Sequence, residues 1–173
     1  MEFYPYKFEA PLDRFGVGKT RKVWYNVVFL PPVLIGELPF GAYPRLRVEG
    51  EIADIPINNA FMPTGDGRYY LIVAPTVMKG ADVDLGDLVE VRFKVADQDH
   101  VDVPKILEKA LAEAKKSQSA WGALTPGKKR MLAQHVASAK TDPTAARRTN
   151  EAIDALLNFG ADLRAWRQAK EKS

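Results

Sequence analysis

The chain has 173 residues, 46% of them hydrophobic, and no cysteine, so it can bury one ordinary core or two small ones but can form neither a disulfide nor a thiolate site. No run of about eighteen uncharged apolar residues occurs, which excludes a membrane-spanning helix. The net charge of +3 hides an asymmetry: residues 1–100 carry 11 basic and 14 acidic side chains, a net −3, and residues 101–173 carry 14 and 8, a net +6.

The opening stretch, MEFYPYKFEAPLDRF, lacks the basic start and apolar run of a secretory signal, and a cytoplasmic location is expected. Residues 14–25, RFGVGKTRKVWY, contain a Gly-Lys-Thr that resembles the end of a phosphate-binding loop. That loop requires a glycine five positions before Gly18, and Asp13 stands there. It must also open a helix, whereas Val23, Tyr25, Val27 and Phe29 alternate with Trp24, Asn26 and Val28 in the period of a strand. Gly16 and Gly18 are read as turn glycines, and no nucleotide site is expected.

Pro31-Pro32 ends this strand, because proline has no N–H for the ladder. In RLRVEGEI, residues 45–52, Leu46, Val48 and Ile52 face one way and Arg45, Arg47, Glu49 and Glu51 the other, the pattern of a sheet with one wet face. Short extended pieces follow to Met62, then a turn at PTGDG, an apolar strand at 68–74, a turn at Gly86-Asp87 and an alternating strand through Val89, Val91, Phe93 and Val95. Three carboxylates in DVDLGD, residues 82–87, do not follow the spacing of a calcium loop and are read as a turn before an edge strand.

At Val103-Pro104 the hydrophobic period changes from two to about 3.6. Ile106, Leu107, Ala110, Leu111 and Ala114 form the stripe of a first helix. Thr125-Pro126 starts a second, with Met131, Leu132, His135, Val136 and Ala139 inward. Asp142-Pro143 starts a third, carrying Ile153, Leu156 and Leu157 and ending at Gly160. The last stretch, ADLRAWRQAKEKS, is helix-compatible, with a polar end expected to fray.

Chemistry-bearing patterns are sparse. His100 and His135 form no ligand pair, and Ser117, Ser119 and Ser138 lack a nucleophile-elbow context. No catalytic residue, metal or cofactor is assigned. The basic residues Lys128, Lys129, Arg130, Arg147 and Arg148 are the candidate binding set, because guanidinium forks suit phosphate and carboxylate; internal pairing with Glu151 or Asp154 is the competing explanation.

The stretches RLRVEGEIADIPINNAF, PTGDGRYYLIV, MKGADVDLGDLVEVRF, VPKILEKAL and AKTDPTAARRTNEAIDALL, in that order, resemble the YdeI/OmpD-associated, bacteriocin-protection-like family. The resemblance implies a split barrel followed by a helical domain and supplies no catalytic motif. The expected architecture is α+β: a small antiparallel split β-barrel over residues 1–98 and a three-helix region over 99–173. The expected function is that of a cytoplasmic, non-catalytic binding module for an anionic ligand or protein partner. The alternatives are an enzyme holding a small anionic substrate with Arg45, Arg47 or Arg68 beside the helices, and a nucleic-acid-binding protein acting through the basic half, which is less favoured.

Overall fold

Alternating sequence in the first hundred residues produces seven strands: β1 (Tyr6–Pro11), β2 (Asp13–Val17), β3 (Val23–Phe29), β4 (Leu46–Ile52), β5 (Ile55–Pro63), β6 (Tyr69–Ile72) and β7 (Leu88–Val95). They are seen in a computed structural model that describes residues 2–173. Two compact units divide the chain, Met1–Gln98 and Asp99–Ser173. In the first, all strand pairs are antiparallel in the order β1-β7-β4-β5-β6-β3-β2. β1 and β2 thus stand at opposite ends of the sheet although only Leu12 separates them in sequence, so the sheet has to curl into a half-barrel. Leu12 is 2% exposed. Its N–H donates to the Asp87 carbonyl and its carbonyl accepts from the Gly86 N–H, both at 2.8 Å.

Leu46, Val48, Ile52, Phe61, Val91 and Phe93 are fully buried inside the curl. The Phe61 and Phe93 rings meet at 5.2 Å, and Phe8 stands edge-on to Phe93 at 6.2 Å. On the opposite face of the sheet Arg92 pairs with Glu51 at 2.9 Å and with Glu90 at 3.1 Å, which keeps that surface polar. β7 lies between β1 and β4 and is not an edge strand, contrary to the expectation for the acidic turn before it. The strand that covers β7 is β1, whose alternation is short and bracketed by Pro5 and Pro11. Two short helices, α1 (Pro32–Ile35) and α2 (Pro75–Ala81), were also unforeseen, although each begins at a proline.

The second unit contains five helices where three were expected: α3 (Lys105–Ala112), α4 (Lys115–Gly122), α5 (Pro126–Ala137), α6 (Asp142–Asn158) and α7 (Leu163–Glu171). The first expected stripe breaks at Ala114, which is extended, and the Gln118 side-chain amide donates to the Ala112 carbonyl at 2.9 Å in place of continued helix. α5 and α6 carry threonine caps: Lys128 N–H donates to Thr125 Oγ1 and Thr144 N–H to Thr141 Oγ1, each at 3.4 Å. The cap of α6 is thus one residue before the expected Asp142. α6 packs against α3, α4, α5 and α7, burying Thr149, Ala152, Ala155 and Leu156 with Leu107, Leu111, Leu132 and Val136. Met131, expected inside, is 57% exposed, and Ala133 is buried instead.

The polar tail is ordered by one carboxylate. Asp154 accepts from the Trp166 indole N–H and from the Asn158 amide, both at 2.7 Å, and lies 3.4 Å from Lys170 Nζ. These donors, Trp166 foremost, hold its pKa below the ordinary 3.8.

Two outcomes are expected. A Cβ on Gly50 would stand 2.0 Å from the Arg92 carbonyl oxygen and 2.7 Å from Phe93 Cα, so Gly50→Ala should cost the half-barrel about 3 kcal/mol in denaturant unfolding. Asp154→Ala should cost about 1–2 kcal/mol and release α7, seen as a shift of the Trp166 indole N–H resonance. Because the folded Asp154 has the lower pKa, its contribution is complete above the ordinary value and fades as pH falls through the folded one. The same resonance should therefore titrate with its midpoint below 3.8.

Candidate functional site

Adjacent residues on a helix project about 100° apart, so the two basic runs cannot act as blocks. In the first turn of α5, Lys128 is exposed, Lys129 half-buried, and Arg130 donates from Nη1 to the His100 carbonyl at 3.1 Å. In α6, Arg147 is largely exposed, with Nε 3.9 Å from Glu151. Arg148 turns inward and donates from Nη1 to the Ser138 hydroxyl at 2.7 Å and to the His135 carbonyl at 3.3 Å. It thereby satisfies a carbonyl in the last turn of α5, which makes it part of the fold. Asp154, one of the internal partners considered for the basic set, is engaged by Trp166 instead.

Arg130 belongs to a different grouping, one that the run of adjacent residues does not show. Together with Arg164 and Arg167 of α7 it lines a concavity of about 590 Å³, completed by Met131, Gln134, His135, Ser138 and Leu163. Arg164 and Arg167 are three residues apart and so share one face of α7. The Asp162 carboxylate fixes that helix by accepting the Arg164 and Ala165 N–H groups at 2.9 and 3.0 Å. Leu163 is buried and Trp166 half-buried, which leaves the arginines outward.

No carboxylate lines the groove. The nearest acid of α6, Glu151, faces His135 Nε2 at 3.4 Å and Arg147 at 3.9 Å. His135 is thus a half-buried, carboxylate-paired histidine, as its place on the apolar stripe suggested. The Arg164 and Arg167 guanidiniums can take an anion by forked hydrogen bonds, and the apolar patch of Met131 and Leu163 can cover the apolar part of whatever carries it. The size is that of an ordinary small-molecule or side-chain pocket.

The three arginines considered in the first unit are not brought together. Arg45 is exposed. Arg47 exchanges backbone hydrogen bonds with the Gln98 side-chain amide, at 3.0 and 2.9 Å. Arg68 is clamped by Asp66. Gly-Lys-Thr lies in the loop between antiparallel β2 and β3 with no helix after it, which rules out a phosphate-binding loop of the strand–loop–helix kind. Among the described residues no helix is long and apolar enough to cross a membrane.

Comparison with known proteins matches residues 8–93 to the domain of unknown function DUF1905 and residues 100–158 to the family described as "Bacteriocin-protection, YdeI or OmpD-Associated". No curated protein and no solved structure matches the chain. The first match falls on the half-barrel and the second on α3 to α6, while α7 lies beyond it. In its domains and their order, the chain is similar to the YdeI/OmpD-associated proteins: the half-barrel carries the DUF1905 domain and the helical unit the YdeI/OmpD-associated domain.

Proposed function

We propose that the protein is a cytoplasmic, non-catalytic binding module whose helical unit recognises an anionic ligand or the acidic segment of a protein partner. The observation that carries this reading is the groove in which Arg130, Arg164 and Arg167 converge with no acidic residue in the lining. Surface cations on helices are ordinarily interspersed with carboxylates that they neutralise. The two mid-helix acids of α6 are already engaged, Glu151 with His135 and Arg147, and Asp154 with Trp166, Asn158 and Lys170. The positive field of Arg164 and Arg167 is therefore open to a ligand. The apolar contribution of Met131 and Leu163 favours an anion attached to a hydrophobic body over a bare inorganic ion.

The test is a titration of the full chain with citrate and with a peptide alternating Asp or Glu with Leu. Arg164→Glu/Arg167→Glu should weaken the tighter of the two by about tenfold or more, the scale of losing charge-assisted forks. Lys128→Glu/Lys129→Glu should have a smaller effect. Arg148→Ala should lower the thermal midpoint while the folded fraction keeps its affinity, since Arg148 serves the α5 terminus. Equal affinity in wild type and the Arg164/Arg167 variant would overturn the assignment. A steep salt dependence on mixed-sequence DNA or RNA, with neither probe bound, would transfer the groove to nucleic acid.

A further inference from the structure

The turn between β5 and β6 is built to hold one guanidinium still. Gly65 and Gly67 adopt φ of 95° and 92°, and the Thr64 N–H donates to the Arg68 carbonyl at 3.0 Å, closing a tight hairpin. Within it the Asp66 carboxylate accepts from Arg68 Nε at 3.2 Å and Nη2 at 3.1 Å, and from the Thr64 hydroxyl. With the Arg68 and then the Thr64 hydrogen bonds favouring its anion, Asp66 is brought down to about 2 and stays ionised. Arg68 also lies over aromatic rings, its Cζ 4.8 Å from the Phe29 centroid and 5.9 Å from that of Phe15. The clamp occupies the Nε edge of the guanidinium. Nη1 and the second Nη2 hydrogen have no partner among the described residues.

Around this arginine lies a pocket of about 440 Å³ whose walls include Phe15, Val17, Pro63 and Tyr70, with Lys19 and Lys22 from the β2–β3 loop. Gly18 shapes that loop at φ 127°, where a Cβ would sit 2.3 Å from the Arg21 carbonyl oxygen. Lys19, Lys22 and Arg68 against Asp66 leave the lining two charges positive.

We propose that this half-barrel pocket is a binding site for a phosphate monoester with an aromatic or apolar body. The open edge of Arg68 takes two phosphate oxygens, Lys19 and Lys22 offset the dianion, and Phe15 and Tyr70 enclose the ester group. The two positive charges match a dianion better than a carboxylate, and a pocket of this volume suits a small molecule better than a strand. Recognition here is by side chains, so the backbone cradle and helix that Gly-Lys-Thr lacks are not needed. The site is independent of the groove in the helical unit.

The experiment is calorimetry on the full chain carrying Arg164→Gln/Arg167→Gln, with phenyl phosphate as probe and phenol, inorganic phosphate and a mixed-sequence single-stranded oligonucleotide as comparisons. Phenyl phosphate should bind more tightly than inorganic phosphate, and phenol not measurably. Arg68→Lys should weaken phenyl phosphate by about tenfold, since an ammonium cannot form the fork. The decisive variant is Asp66→Asn, checked for an unchanged thermal midpoint. It removes a negative charge yet should weaken binding by about tenfold, because the clamp that orients Arg68 is lost. Tighter binding on Asp66→Asn would reduce the pocket to a diffuse cationic patch and overturn the proposal. No binding of phenyl phosphate, or preference for the oligonucleotide, would overturn it as well. Because the groove arginines are already removed, failure here leaves the reading of the helical unit untouched.

Discussion

The architecture of the first unit depends on Leu12. A chain that passes from one end of a seven-stranded sheet to the other through a single residue cannot lie flat. Strand twist alone would leave β1 and β2 far apart, so the short link imposes the curl, and two backbone hydrogen bonds to the Gly86–Asp87 turn pin the corner. Curling in turn creates the interior that Phe8, Phe61 and Phe93 fill. It also accounts for glycine at position 50, where β4 approaches β7 too closely for any side chain. The mixed character of the strand sequences, apolar on one side and ion-paired on the other, follows from a sheet that has an inside.

In the helical unit the organising element is α6, and the distribution of its acids determines what the cations can do. Both of its mid-helix carboxylates are engaged, Glu151 with a half-buried histidine and Asp154 with the indole of Trp166. Fixing α7 places Arg164 and Arg167 opposite Arg130. The same stretch shows why a run of basic residues is a poor guide to a site. Arg148 completes a helix terminus and Arg147 leans along its own helix, although the two are neighbours in sequence.

Much of the fold was legible in residue order. β3, β4 and β7 announced themselves by alternation, β6 by its apolar run, α5 by Thr125-Pro126 and α6 by Asp142-Pro143. β1 did alternate, through Tyr6, Phe8 and Ala10, but it is short and bounded by Pro5 and Pro11. β2 contains Gly16, which reads as a turn until Trp24 is seen packed across from it. The break at Ala114 has no glycine or proline to signal it; only the Gln118 side chain, acting from the next helix, marks the end. The groove was hidden for a related reason. Two of its three arginines come from α7, a segment whose charge suggested fraying, and the indole-to-carboxylate contact that orders it joins residues twelve positions apart.

The pairing of β1 with β7 has a consequence for how the molecule is made. Tyr6 is partnered by Phe93, so β1, once it leaves the ribosome, must wait until nearly all of the remaining first unit has been synthesised before it finds its neighbour. Until then its edge and the side of Phe8 destined for the interior are uncovered, a state that chaperones would recognise. The helical unit is joined by contacts within its own 75 residues and has no comparable delay. The N-terminal unit, although translated first, therefore has the longer wait before its outermost strand is paired.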